Sequence, residues 1–534
     1  MKVSPFVLKR AVPIKHIIRP INISREKRLV KQFMHNSIDL QFRYIGENIM
    51  VAFLYSVVDE ARMEQTIISP LRFYNNRITD RITDEVTDRV TNRVTETEDI
   101  SDSTPKDKFR VNNIITAAPI GFSKSWKGIT KDLTRGFVAV FIKGKKRALL
   151  VAIPNLEQRA VMEPESEKLV RGPREGFIEN ISVNMSLLRR RINSPALVFE
   201  AQDIGSLTET KVVISYVAGI CDPEIIQEVK KRLSFVHIQS VLDTGYLEAF
   251  VVDHPKSIFP QVEVTEKPDK ALAQMLEGRI VIMVDGTPNV IIVPTIFTQF
   301  IQASEDYYEK PYYASFLRYI RMLAMIIALF LPGLYVALTT IHQEMLPTPL
   351  ALSIAGSREG VPFPTVVEAL LMEIAFEMLR EAGVRLPAQV GQAVSIVGAL
   401  IIGQAAVDAK IVSPIMVIIV AFSGISSFLI PSYGLSISFR LLRFIILIAA
   451  SILGLFGIVL VGIMLLVHLS SMQSYGIPYF QPLGPIKFHQ LREWLYRQSW
   501  RKIAKQPYNI SINRMENKTS PEQPPISEKG NYRR

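Results

Sequence analysis

Glu368, Glu373, Glu377 and Glu381 fall within the mostly apolar stretch Thr365–Gly383, and the last three share one helical stripe with Arg380. Carboxylates in such surroundings are costly unless they are paired or face water. Repeated around an oligomer they would form a ring that attracts cations. On a helix lying along an interface they would simply be solvated. Downstream, Gln389, Gln392, Ser395 and Gln404 interrupt an otherwise apolar run, Ala388–Val407. At 3.6 residues per turn Gln389, Gln392, Ile396, Ala399, Gly403 and Ala406 share a face. Amides with small neighbours suit a narrow wet path in which Ile396 is a hydrophobic gate. Gly391, Ser395, Ala399 and Gly403 also recur every four residues, the spacing by which helices pack closely in a bilayer. Both readings stand on the same residues, with Gln389, Gln392, Ser395, Ile396, Ala399 and Gly403 as the pore-lining candidates.

A third set is basic. Val170–Ile192 opens with the turn-rich RGPREGF and continues as a helix ending in Arg189, Arg190 and Arg191. Cations at a helix C-terminus complement its dipole. With Arg171 and Arg174 these arginines are candidates for lipid-headgroup contact or for salt bridges between subunits. Enzyme chemistry finds no support: GxSxG, Walker A, HExxH and GxGxxG are absent, and no carboxylate pair is marked as an acid–base dyad. The seven histidines lack ligand spacing and Cys221 is the one cysteine, so neither a metal, a cofactor nor a disulfide framework is expected.

The elements that position these residues divide the 534-residue chain in two. Four windows, Met322–Thr339, Ala388–Val407, Ile411–Pro431 and Phe444–Val467, carry no charged side chain. Each is near the ~20 residues a helix needs to cross a bilayer. Pro332, Pro414 and Pro431 are expected to bend or interrupt these spans. The formal charge of +12 sits outside them: nine Lys or Arg in residues 1–31, and six from Lys487 to Lys505. That placement argues for cytoplasmic ends beside anionic lipid rather than for nucleic acid. Two cytoplasmic ends require an even number of crossings. Four are expected, with the glutamate helix not fully crossing and Arg440 and Arg443 on the outer side; five would leave the basic tail outside. No cleavable signal segment is visible near the N-terminus.

The N-terminal half reads as two related α/β subdomains. FIKGKKRALLV (Phe141–Val151) parallels MVDGTPNVIIV (Met283–Val293), each a strand, a glycine turn and a strand. Upstream, Met50–Ile68 parallels Val212–Val229, each a strand followed by a helix opening at an Asp. The expected organisation is a basic arm (1–30), a first subdomain (31–155) with a low-complexity insertion (about 76–115), a connector (156–194) and a second subdomain (195–305). A helical membrane domain (306–470) and a cytoplasmic tail (471–534), disordered at its end, complete the chain. The fold class is thus an α+β cytosolic region followed by an all-α multi-span membrane domain. The insertion contains five tetrads, RITD RITD EVTD RVTN RVTE (Arg77–Glu96), half of whose residues are β-branched. That composition weakens a helix, and a solvent-exposed insertion is expected.

Several long stretches carry a resemblance. RAVMEPESEKLVRGPREGFIENISVNMSLLRRRI (Arg159–Ile192), QVEVTEKPDKALAQMLEGR (Gln261–Arg279) and SEDYYEKPYYASFLRYIR (Ser304–Arg321) lie in the first half. Val361–Val407 and SYGIPYFQPLGP (Ser474–Pro485) lie in the second. Together they resemble the A subunit of GerA-type spore germination receptors from about residue 35 to 490, more closely than the sister SpoVAF-like branch. The tetrads and the long basic arm depart from that pattern. The resemblance implies a multi-pass protein of the spore inner membrane with its N-terminal domain cytoplasmic. It implies work beside a transporter-like B subunit and a lipoprotein C subunit, in a homo-oligomer, a pentamer, that conducts monovalent cations. A secondary transporter using Glu373 or Glu377 as coupling carboxylate, and a non-conducting scaffold, are the alternatives.

Overall fold

Ile49–Leu54 is buried at all six positions, the mark of a central strand covered on both faces. In this computed structural model, which describes residues 20–73, 120–155 save 124 and 146, 164, 167, 171–385 and 403–498, that strand is β2. Its sheet contains β1 (Leu40–Ile45), β2, β3 (Ile120–Ser123), β4 (Phe137–Ile142) and β5 (Ala148–Ala152) in the order β1-β2-β4-β5-β3, every neighbour antiparallel. Alternation of side chains divides the core. Met50, Ala52 and Leu54 pack under α1 (Ile23–Phe33) and α3 (Trp126–Leu133). Val51 and Phe53 meet Met63, Ile67 and Ile68, contributed by α2 (Glu60–Met63) and the π-helical turn that continues it.

A second sheet repeats the plan. It contains β6 (Leu197–Ile204), β7 (Thr210–Val217), β8 (Glu263–Thr265), β9 (Ile280–Val284) and β10 (Val290–Val293), in the order β6-β7-β9-β10-β8 and again wholly antiparallel. One face carries α4 (Ile181–Arg191) and α7 (Pro268–Leu276); the other carries α5 (Pro223–Ser234) and α6 (Gly245–Val251). The paired sequence segments occupy equivalent places. Gly144 and Gly286 turn the two matching hairpins with φ of +82° and +95°, and a Cβ at either would meet nothing, so the requirement is conformational. Asp59 and Asp222 accept backbone N–H bonds at the starts of α2 and α5 at 3.0 and 2.9 Å.

The two sheets are joined through a buried charge pair. Asp39, at the entry to β1, accepts from Arg189 Nε at 3.2 Å and Nη2 at 3.0 Å, and from the hydroxyls of Ser37 and Ser56. Arg189 also donates to the carbonyls of Ser194 and Leu197 and lies over the Phe199 ring at 4.8 Å. Both side chains have zero exposure, so Arg189 is withdrawn from the lipid or subunit contact expected of it.

The helical half comprises α8 (Pro311–Thr340), α9 (Thr348–Ser357), α10 (Thr365–Arg385), α11 (Pro414–Phe428), α12 (Tyr433–Leu453) and α13 (Leu455–Ser471). Of these, α8 and α12 are long and apolar enough to cross a membrane, while α11 and α13 are apolar but shorter. The window Phe444–Val467 is not one span. Gly454, at φ +62°, divides it, and a Cβ there would come within 2.3 Å of His342. The helices double back: Ser438, early in α12, donates to the Ile258 carbonyl, while His468, late in α13, bonds neighbouring Ser257. Pro332 leaves α8 unbroken, Pro414 opens α11, and Pro431 lies between α11 and α12.

Both ends of the helical half meet the second sheet's domain. Asp306, with zero exposure, holds Arg318 Nε at 3.0 Å and Arg321 Nη1 at 2.7 Å, fixing the first turns of α8. After α13 the chain returns: Tyr475 N–H donates to Asp253, the Phe297 N–H to the Tyr479 carbonyl, and Trp494 Nε1 to the Thr298 carbonyl. Residues 472–498, expected to begin a tail, are packed structure containing α14 (Phe488–Leu495). The tetrads Arg77–Glu96, the first 19 residues and everything from 499 onward lie outside the described residues.

Removing one partner of a buried ion pair leaves an uncompensated charge, a cost of about 3–5 kcal/mol. Arg189→Ala and Asp39→Ala should each lower the unfolding free energy of the full chain by that order, seen as an earlier denaturation midpoint, while Arg190→Ala, whose head is exposed, should leave it nearly unchanged. Cys221 is buried in the second core, and burial first, then the charge of Asp222, pushes its thiol up to about 12. Because the thiolate is the nucleophile, native protein at pH 8 should alkylate roughly a thousandfold slower than a free thiol. The rate should climb with pH and normalise in denaturant, as followed by mass spectrometry.

Candidate functional site

Every third or fourth position of α10 brings Glu373, Glu377 and Arg380 onto the face turned to α11 and α12. Opposite them α12 presents Arg440 and Arg443, three apart on a helix whose other residues are nearly all apolar. Glu373 Oε2 lies 2.7 Å from Arg443 Nη1, and both side chains are 3% exposed. The same guanidinium group donates to Ser423 Oγ at 2.6 Å. Glu377 accepts from Arg440 and lies 3.9 Å from Arg380, which donates to Ser427 Oγ at 2.7 Å and stacks over Phe428. The order of pairing, 373 with 443 and 377 with 440, makes α10 and α12 antiparallel. Three arginines against two glutamates leave this cluster with a formal charge of +1.

The other end of α10 is held separately. Glu368, fully buried, takes Arg358 Nη2 at 3.1 Å and the Ser413 N–H at 2.9 Å, where its charge also faces the N-terminus of α11. Its contact with Ser413, and that of Arg380 with Ser427, make α10 and α11 parallel. Glu381 pairs with Arg385 at the exposed end.

Of the acidic residues singled out from the sequence, Glu368 and Glu373 are buried, Glu377 is partly exposed and Glu381 is exposed. Glu368, Glu373 and Glu377 are each matched to an arginine, and Glu368 and Glu373 are buried within the chain rather than solvated. Arg440 and Arg443 lie in the interior of the helical half, paired with α10. A ladder of acids on α10 and one of bases on α12 were both legible, but not their pairing.

Of the amide and small-residue face, Gln389, Gln392, Ser395, Ile396 and Ala399 lie outside the described residues. Gly403 is described: it is buried, with its Cβ direction toward Val417 of α11. The basic set is dispersed. Arg171 lies 3.8 Å from Glu309, Arg191 pairs with Glu175 at 2.6 Å, Arg190 reaches the Asn155 carbonyl at 3.4 Å, and Arg174 has a partner of its own. Among the described residues no group of His, Cys, Asp and Glu has the arrangement of a metal site.

The fold and site define a class: paired antiparallel α/β sandwiches carrying a helical half with two helices of membrane-spanning length and charges paired within. The family model of the Bacillus/Clostridium GerA spore germination protein matches residues 27–509, and the chain belongs to that family. Spore germination protein KA of Bacillus subtilis (strain 168) is 48% identical over 388 residues, 73% of this chain and 71% of its own length. The uncharacterized membrane protein YfkQ of the same organism is 42% identical over 412 residues, 77% of this chain and 80% of its own. The crystal structure of the N-terminal domain of the A subunit of the Bacillus megaterium spore germinant receptor GerK3 aligns with 54% of this chain and 99% of that one, at 25% identity and a TM-score of 0.39.

If pairing rather than either charge alone sustains the cluster, Glu373→Gln and Arg443→Met should each destabilise the helical half by about 3–5 kcal/mol. The exchange Glu373→Arg with Arg443→Glu should recover part of that loss, as read from thermal midpoints in detergent.

Proposed function

We propose that this chain is the A subunit of a nutrient-responsive germinant receptor, a multi-pass protein of the spore inner membrane whose two α/β sandwiches remain cytoplasmic. One observation carries the membrane reading. The helical half is charged within and apolar without: Glu373, Arg443 and their neighbours are interior, while Ile418, Phe422, Ile448, Ile452, Val459 and Ile463 are exposed on α11, α12 and α13. Water as surrounding solvent would favour the reverse; hydrocarbon favours this arrangement. The packing of residues 472–498 on the second sandwich supports an even number of crossings, with both ends on one side. Because Gly454 divides the last apolar window into two antiparallel helices, α12 and α13 count as separate crossings in this reading.

This subunit works beside a transporter-like B subunit and a lipoprotein C subunit, and copies of it assemble as a closed ring, a pentamer, around a path for monovalent cations. The amide face Gln389, Gln392 and Ser395 lines that path and Ile396 closes it. The arginine-matched state of Glu368, Glu373 and Glu377 supports assigning the path to the amides rather than to a carboxylate ring. It also counts against a secondary transporter coupled through Glu373 or Glu377, since each carboxylate is already engaged by an arginine of α12. Nutrient sensing in a partner shifts the packing of α10 against α12 and opens the ring.

The test is native mass of the full chain in nanodiscs combined with potassium flux from liposomes. The expected result is a closed homo-oligomer whose flux rises on Ile396→Gly and falls on Gln392→Leu. A folded monomer, or a flux indifferent to both substitutions, would overturn the shared path.

A further inference from the structure

The loop that follows α6 reaches from the second sandwich into the helical half. Ser438 donates to the Ile258 carbonyl at 2.6 Å, the Ser257 hydroxyl bonds His468 Nε2 at 2.9 Å, and Phe259 lies 6.0 Å from the His468 ring. A Cβ on Gly434 would stand 3.3 Å from Pro260, so the loop is seated against the starting end of α12 as well as the closing end of α13. Ser438 is five residues into α12, about 7 Å along an axis that rises 1.5 Å per residue. The 21 residues of α12 match the ~30 Å of a hydrocarbon layer, so the loop stands at the depth of the boundary between headgroups and acyl chains.

The loop's composition fits that depth. Phe259 points inward and is 4% exposed, but Ile258 beside it is 45% exposed, and Lys256 two residues earlier is exposed. On α6, Tyr246 and Phe250 are one helical turn apart and exposed at 48% and 40%, while Leu247 and Val251 fill the core. An apolar side chain, aromatic rings and one lysine form the mixture that settles at a membrane interface, where the hydrocarbon body is buried and the ammonium group meets phosphate.

We propose that this surface, Tyr246, Phe250, Lys256 and Ile258, rests on the cytoplasmic leaflet of the bilayer, so that the second sandwich contacts lipid directly as well as through α8. The inference rests on the membrane reading given above. Its occupant is the lipid boundary, because the loop carrying Ile258 is bonded to the starting end of α12 and the closing end of α13, whose outer faces are apolar and exposed. Through it, lipid packing and anionic headgroup content act on the domain that is clamped to α8 by Asp306.

The test places a polarity-sensitive fluorophore on the full chain in vesicles of phosphatidylcholine and phosphatidylglycerol. Cys221 is buried, so introduced cysteines label selectively. Probes at Ile258→Cys and Phe250→Cys should emit to the blue and be quenched by shallow spin-labelled lipid more than by aqueous iodide. Leu207→Cys, on the exposed β6–β7 turn, should show the opposite. Ile448→Cys on α12 reports the membrane reading itself. Lipid quenching at 448 with iodide quenching at 258 and 250 overturns the contact alone. Shielding of 258 and 250 from both quenchers overturns it in favour of a protein partner. Loss of lipid quenching at 448 as well overturns the membrane reading on which it stands.

Discussion

A guanidinium group removed from water is tolerable only where a carboxylate and further acceptors meet it, and this constraint governs each junction in the chain. Arg189 finds Asp39, two hydroxyl-supported oxygens and two carbonyls between the sandwiches. Arg318 and Arg321 share Asp306 where the second sandwich becomes α8. Arg443 finds Glu373 and Ser423 among α10, α11 and α12. Such pairs add little net stability over apolar packing. Their consequence is geometric, because a mispaired arrangement strands a charge and is excluded.

That geometry determines what can move together. The second sandwich is tied to α8 through Asp306, to the returning segment through Asp253 and Tyr475, and to the α12–α13 hairpin through residues 257–260. A displacement of the sandwich is therefore transmitted to α8, to the returning segment and to the α12–α13 hairpin at once. The first sandwich touches this system through Asp39 and Arg189, and its equivalent strand order gives it no equivalent anchor among the described residues.

Much of the fold was legible. The repeated strand–turn–strand segments, the glycines at 144 and 286, and the capping aspartates at 59 and 222 are local features with local consequences. The apolar windows were legible too, since hydrophobicity needs no partner to be read. The break at Gly454 was not. Nothing within a run of apolar residues distinguishes a glycine that continues a helix from one that ends it, and here Gly454 turns at φ +62° against His342, where a Cβ would collide. Proline divides the same way: Pro414 and Pro431 stand at helix boundaries as interruptions, while Pro332 is accommodated inside an unbroken α8.

The candidate site divides along the same line. The sequence by itself determined that acids lie on α10 at helical spacing, that two arginines interrupt α12, and that the chain separates into a mixed half and an apolar half. Only the tertiary structure decided that Glu373 meets Arg443, 70 residues away, and that Arg189 meets Asp39 at a separation of 150. Helical spacing and hydropathy follow from neighbours along the backbone. The partner of a buried charge follows from which helices cross at that depth, and a linear order of residues does not contain it.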